Sequence, residues 1–185
     1  MTQTTFKIQS VTKVIGLEEI ESTQSLARSL APTEEHGTLI LACCQTAACD
    51  CCNENFSAKE GGVYFSLILK PNKEMDLSSL TRAAMHSVAD TLKNVFELKT
   101  KCLEDGTVFV WNKQAKKYQK IACMWAEENE TGAILVHALI CVNNPLTPAQ
   151  KEKWVSLKNL IGTDTSKELF LDDVLNNFWK EYAFL

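Results

Sequence analysis

Glycine and proline are scarce in this chain. Seven glycines and four prolines occur in 185 residues, about half the usual share. A protein that cradles phosphate in a glycine-rich loop normally carries more glycine, because the backbone must approach the anion closely. Positive charge is also short. Nineteen Lys and Arg stand against 23 Asp and Glu, a net charge of −4. No basic excess is present to attract nucleic acid or anionic lipid. No apolar run reaches the length of about 18 residues that spans a bilayer, so no membrane partner is expected. Met1 to Gln9 is polar. It lacks the apolar core of a signal peptide, and a cytoplasmic protein is expected.

What is present describes a globular domain. Hydrophobic residues make up 45% and charged residues 23%, which excludes a disordered or fibrous chain. The length suits a single domain over residues 1–185, burying about 70% of its unfolded surface. Cysteine is abundant, at eight residues. Cys43, Cys44, Cys49, Cys51 and Cys52 crowd one stretch, while Cys102, Cys123 and Cys141 are scattered. Disulfide frameworks serve small secreted domains with weak cores. Free thiols are expected here, most of them buried and apolar in role.

The pattern of apolar residues divides the chain into short elements. Leu17–Ile20 reads as a strand. Ser22, Thr23 and Gln24 open a helix that Pro32 stops. Gly37–Cys44 is a near-continuous apolar run, so a buried strand. Gln45–Glu60 has no clean period and reads as a loop. Val63–Leu69 is a second buried strand. Asp76 caps a long helix whose apolar face is Leu77, Leu80, Ala84, Val88, Leu92 and Val95. Phe96–Cys102 alternates as a strand, Asp105-Gly106 marks a turn, and Thr107–Trp111 is another strand. Ala115–Gln119 reads as a polar turn. Lys120–Glu127 and Ala133–Val142 are two more strands. Pro148 begins a short helix, and Ser166–Tyr182 forms the last. The sum is an α+β fold: a mixed, largely antiparallel sheet of six or more strands with packed helices.

Seven short motifs, in order, resemble the catalytic domain of the biotin protein ligases, in the biotin/lipoate protein ligase superfamily. Glu19-Ile20-Glu21-Ser22-Thr23-Gln24 is similar to the family's acidic strand end followed by Ser-Thr-Asn. Gly37–Ala47 ends in Gln-Thr-Ala as the family's second strand does. Gly61-Gly62-Val63-Tyr64-Phe65-Ser66-Leu67 is similar to Gly-Gly-Leu-Tyr-Phe-Ser. Lys120-Ile121-Ala122 opens like the Lys-Ile-Ala-Gly strand, and Glu127 falls on that strand's closing glutamate. Val142-Asn143-Asn144-Pro145 is similar to the end of Asn-Val-Asn-Asn. Val155-Ser156-Leu157 through Gly162, then Leu169–Phe178, resemble the Thr-Ser-Leu turn and final helix. The resemblance runs from about Leu17 to Leu185. It implies a catalytic domain alone, with neither an N-terminal DNA-binding domain nor a C-terminal β-barrel domain.

The departures cluster where the family places its ligand. The family follows Gln-Thr-Ala with Gly-Arg-Gly-Arg-Arg-Gly-Arg-x-Trp, a loop that closes over biotin and biotinyl-adenylate. Here Ala48–Phe56 reads ACDCCNENF. Every arginine and glycine is gone. Arg makes the bidentate contacts to phosphate and carboxylate, and this loop has two negative charges and no positive one. It should repel an adenylate. The family's Lys-Trp-Pro-Asn-Asp becomes Val110-Trp111-Asn112-Lys113, with Asn112 in the asparagine's place if one residue is deleted. Cys123 replaces a strand glycine. His137, Leu139 and Cys141 stand where the family has Gly, Gly and Asn.

By resemblance, Lys120 is the catalytic position, stabilising developing charge beside the ligand's carboxylate. Ser22, Thr23, Gln45 and Asn112 are the matching ligand-binding positions. Each also has a plain structural reading: helix caps for Ser22 and Thr23, a strand-end hydrogen bonder for Gln45, a solvated strand start for Lys120. The sequence therefore describes a ligase-like domain with an eroded adenylate site, a pseudoenzyme or binding module, with no cofactor of its own. The alternative is a divergent ligase that forms biotinyl-5′-AMP from biotin and ATP and biotinylates a carrier lysine. Partners would be a biotin carrier protein, another protein, or a second copy in a homodimer. A third reading is a thiol acyltransferase pairing Lys120 with Cys123 or Cys141. Metal binding by Cys49, Cys51 and Cys52 is disfavoured, because adjacent ligands are geometrically awkward and no second Cys/His pair of suitable spacing follows. His36 reads as a loop residue, His86 as a helix-surface residue and His137 as an inward-facing neutral histidine.

Overall fold

The computed structural model describes residues 8–185. The polar opening segment read for targeting lies, through residue 7, outside them. Strand β1 (Lys13–Ile20) leads through helix α1 (Thr23–Leu30) into β2 (Thr38–Cys49), β3 (Asn55–Ala58) and β4 (Val63–Leu69). Helix α2 (Leu77–Phe96) follows, then β5 (Thr100–Cys102), β6 (Thr107–Asn112), β7 (Lys117–Glu128) and β8 (Ile134–Ile140). Helices α3 (Pro148–Lys153), α4 (Leu157–Ile161) and α5 (Lys167–Tyr182) close the chain. The sheet has eight strands, ordered β1-β2-β4-β8-β7-β6-β5, with β3 paired to β2 beside that path. Only β1 and β2 run parallel, and the helix between them makes that crossover.

The pleat sends alternate residues to opposite faces. Phe65 and Leu67 of β4, and Val136 and Ala138 of β8, join Leu80, Val88, Leu92, Phe170, Val174 and Phe178 from α2 and α5 in one core. The opposite face is covered in two pieces. Ala27 and Ala31 at the α1 end pack on Ile40, Ile68 and Leu135. Further along, Tyr64, Cys123, Leu139 and Cys141 lie under Ala48, Phe56, Leu146 and Trp154. All seven residues of β4 and all seven of β8 are buried. That two-sided burial is why both read as nearly continuous apolar runs, broken only by Ser66 and His137.

Caps set the helix ends. Asp76 accepts from Ser78 N and Ser79 N at the start of α2. Thr147 and Gln150 form a reciprocal capping box on α3. Ser166 caps α5.

Four sequence expectations need correction. Gln45–Glu60 is not a loop throughout. β2 continues to Cys49 and pairs with β3, with a register shift between Gln45 and Ala48. That irregularity breaks the two-residue period, so the stretch shows no alternation. Phe96–Cys102 is not one strand. Phe96 ends α2, Glu97 takes the left-handed conformation at φ 55°, and only Thr100–Cys102 is extended. Val95, assigned to the helix's inner face, is 54% exposed. The turn assigned to Ala115–Gln119 is shorter than expected, because β7 starts at Lys117.

Candidate functional site

The residues singled out from the sequence fall into three separately bonded groups. Ser22 is the N-cap of α1, and its Oγ accepts from Ser25 N at 3.5 Å. Gln45, midway along β2, places Oε1 2.7 Å from Thr23 N and accepts from it. Gln45 thus satisfies one of the orphan donors at the helix N-terminus. Thr23, Ser22 and Gln45 form one small cluster, held together by the chain's own hydrogen bonds.

Lys120 lies on β7. Its Nζ sits 3.4 Å from Asp50 Oδ2 and 5.5 Å from the centre of the Trp154 ring. Its side chain is only 15% exposed, and that of Asp50 only 2%. Burial alone would lower the ammonium's pKa, but Cys123 and Asp50 outweigh it, so it lies above its ordinary value. Lys120 is therefore a fixed cation and not a base.

Asp50 closes the turn after β2. Its Oδ1 accepts from Cys52 N at 2.9 Å and Glu54 N at 3.0 Å, while Oδ2 faces the lysine. Asn53 adopts the left-handed conformation within that turn, at φ 59°. Lys153 grips the turn from outside, with Nζ 2.9 Å from Glu54 Oε2. Residues 50–54 thus build a self-closed acidic turn seated on Lys120.

Asn112 is not part of that cluster's bonding. Its Nδ2 donates to Gln119 Oε1 at 2.7 Å, and its Oδ1 accepts from Gln114 N and Ala115 N. It organises the β6–β7 hairpin.

Cys123, Leu139 and Cys141 fill the space between sheet and turn. Cys123 and Cys141 are fully buried, and Leu139 is 2% exposed. Phe56 meets Trp154 edge-on at 4.9 Å between ring centres. The Gly61-Gly62 pair has a packing reason to be glycine. A Cβ on Gly61 would stand 2.8 Å from Asn144 N, and one on Gly62 would collide with the Tyr64 ring.

A buried polar chain runs beside the cluster, and sequence reading did not connect it. Ser66 Oγ is 3.1 Å from Thr23 Oγ1 and 2.8 Å from His137 Nδ1. His137 Nε2 is 3.2 Å from Glu127 Oε1, and Arg28 binds both oxygens of Glu127 at 2.6 and 2.9 Å. Burial depresses the His137 pKa more than Glu127 raises it, so the ring is neutral at pH 7. A proton on Nε2 would face the Glu127 carboxylate. His137 and Arg28 hold Glu127 down to about 2. The order Ser-His-Glu is that of a hydrolase triad, but Ser66 is 0% exposed between two paired strands. No substrate reaches that hydroxyl, and the chain is structural. Its signal was two polar residues, Ser66 and His137, interrupting apolar strands. They are direct partners across β4 and β8.

The thiols differ from expectation. Only Cys123 and Cys141 are buried, Cys52 is exposed, and the other five lie between. Cys141 is pushed up to about 12 by burial, which disqualifies it as a nucleophile at neutral pH. Among the described residues, no three His, Cys, Asp or Glu side chains are grouped to hold a metal ion. None of the described helices is long and apolar enough to cross a membrane.

No protein-family model matches the sequence. Solved structures do match the fold. A biotin protein ligase from Aquifex aeolicus, in complex with biotin and ATP, aligns with TM-score 0.81 at 22% identity, over 93% of this chain and 71% of that one. A Leishmania major biotin protein ligase in complex with biotinyl-5-AMP aligns with TM-score 0.66 at 14% identity, over 92% and 73%. A bipartite lipoate protein ligase from Thermoplasma acidophilum aligns with TM-score 0.63 at 15% identity, over 92% and 83%. The chain has the α+β fold of the biotin/lipoate protein ligase catalytic domain.

Proposed function

We propose that this chain is a biotin-ligase-like domain that does not ligate and acts as a binding or interaction module. One observation carries the reading. The polar groups that would greet a ligand are already engaged by the protein itself. Lys120 holds Asp50, and Gln45 holds the Thr23 amide. The A. aeolicus neighbour carries biotin and ATP. The residues of this chain do not fit that pair. The turn opposite Lys120 presents carboxylates where an adenylate phosphate needs cations. Leu139, Cys123, Cys141 and Tyr64 form closed apolar packing on the same face. No reaction step is derived through either molecule.

The partners that go with this reading are a biotin carrier or other protein, or a second copy of the chain. The T. acidophilum neighbour is described with its E2 lipoyl domain, which supports a carrier-class protein. A second reading, a divergent biotin ligase, rests on Lys120 alone. Its 3.4 Å pair with Asp50 is longer than a strong charge-assisted bond, so a ligand carboxylate could compete for it.

Isothermal titration with biotin, with ATP and with both, joined to mass spectrometry for adenylate, tests the choice. The proposal expects no biotin binding at micromolar concentration and no biotinyl-adenylate. Micromolar binding together with adenylate establishes the divergent ligase instead.

A further inference from the structure

Cys51 and Cys123 stand 72 positions apart in the chain. Cys51 lies in the turn between β2 and β3, and Cys123 is a buried residue of β7. Their sulfur atoms are 2.8 Å apart. A disulfide needs about 2.05 Å, so closing the gap takes a shift of only about 0.8 Å. The turn is already seated at this spot. Cys51 Sγ is 3.5 Å from Thr107 Oγ1, and a Cβ on Gly106 would stand 3.5 Å from Cys51 Cβ. Asp50, the preceding residue, holds Lys120, three residues before Cys123 on the same strand.

We propose that Cys51 and Cys123 form a disulfide site, by which a low-molecular-weight disulfide staples the 50–54 turn onto β7. The Cys51 thiol gives its proton to solvent, and its thiolate attacks one sulfur of the reagent. The reagent's S–S bond breaks, a mixed disulfide forms on Cys51, and one reagent thiolate leaves. Cys123, likewise deprotonated, then attacks the Cys51 sulfur. The mixed bond breaks and the second reagent thiolate leaves. Both leaving thiolates are protonated. The protein loses two protons and two electrons, and the reagent gains them. In the stapled form Asp50 cannot lift from Lys120. In the reduced form the turn is held only by hydrogen bonds and ion pairs. The staple controls access to Lys120 whether or not the domain ligates.

Oxidised and reduced glutathione, in buffers of rising ratio, are the probe on the full reduced chain. The S–H···S contact with Cys123, and then burial, push the Cys51 thiol well above its ordinary range, so the exchange is slow and long incubation at alkaline pH is used. The expected result is an intact mass lower by two hydrogens, and a digest in which the Cys51 and Cys123 peptides run joined. Amide hydrogen exchange across residues 48–56 should slow several-fold, and a dithiol reductant should reverse every change. Cys51→Ser should abolish the cross-link and Cys52→Ser should leave it intact. Should Cys123→Ser fail to fold, Cys51→Ser alone still decides. Thiols that stay free, stable glutathione adducts, a Cys51–Cys52 pair in place of the cross-link, or unchanged amide exchange after cross-linking would each overturn the proposal.

Discussion

The two faces of the sheet are built on different terms. The face under α2 and α5 is a continuous apolar layer in which long helices supply Leu80, Val88, Leu92, Phe170 and Phe178. The face under the β2–β3 turn mixes Tyr64, Leu139 and two thiols with a polar seam of Thr23, Gln45, Ser66 and His137. Its cover is a short turn and a bulged strand pair. The first face is made to hold the fold. On the second, the polar groups are paired with one another. Buried polar groups must be paired, and here the chain itself supplies the partners. Asp50 does so for Lys120, and Thr23 does so for Gln45.

Truncation on both faces gives the largest expected contrast. Phe65 is 1% exposed beneath the helices, and Phe65→Ala should cost about 4 kcal/mol because rigid helices cannot collapse onto the void. Leu139→Ala on the turn side should cost about 2 kcal/mol, because a turn can settle into the space. Urea unfolding of the two variants measures this. Equal losses would mean that the turn is as firmly packed as the helices.

That contrast also decides what the sequence discloses. β4 and the long helix are legible because each obeys one period: burial on both faces for Val63–Leu69, and threes and fours for Leu80–Leu92. β3 is not legible, since the register shift in β2 hides the pairing that defines it. The five-residue helix α4 is too short to show a period and rests on its Ser156 cap and Gly162. At the candidate site, Lys120, Gln45, Ser22 and Thr23 are named by motif order alone. Asp50 is visible only as a lost arginine, because nothing local says that a loop carboxylate will reach a lysine 70 positions away. Trp154 as the ring beside Lys120 has no sequence signal, since a lone parallel bridge between the two residues puts it there.

Acid should act first through the polar seam, with an effect next in size. The unfolded chain protonates histidine near 6.5, while burial holds the folded His137 below that. Below about pH 6.5 the unfolded state therefore binds more protons, and stability falls as pH falls. Glu127 adds a second loss. Its folded pKa of about 2 lies under the ordinary 4.5, so its contribution is full above 4.5 and disappears between 4.5 and 2. Urea midpoints from pH 8 downward should decline below about 6.5 in the wild type. His137→Gln should flatten that first decline while lowering stability at pH 7 by about 1–2 kcal/mol. An unchanged slope in the variant would mean that the histidine is not the group sensed.

Asp50→Asn separates charge from turn geometry. The amide oxygen can keep the bonds from Cys52 N and Glu54 N, but the ion pair with Lys120 is lost. Because the pair is largely buried and the lysine is left without its counter-charge, stability should drop by about 2–3 kcal/mol. Reaction of Lys120 with an amine reagent, followed by peptide mass spectrometry, should rise clearly over wild type. No rise would mean that Trp154 and the sheet shield the lysine, and that the acidic turn contributes little to closing this face.

The smallest effect at neutral pH belongs to Arg28→Ala. The guanidinium is 48% exposed and its partner Glu127 30%, so the pair itself should be worth no more than about 1 kcal/mol. The informative change lies in the acid limb. Arg28 lowers the pKa of Glu127, and its charge also lowers that of His137. Without it both pKa values move back toward their ordinary values. The folded and unfolded states then differ less in proton uptake, so the decline of stability below about 6.5 should become shallower. A variant matching wild type at pH 7 yet losing less on acidification would show that the seam extends to the surface through this arginine. A variant with an unaltered acid limb would confine it to Ser66, His137 and Glu127.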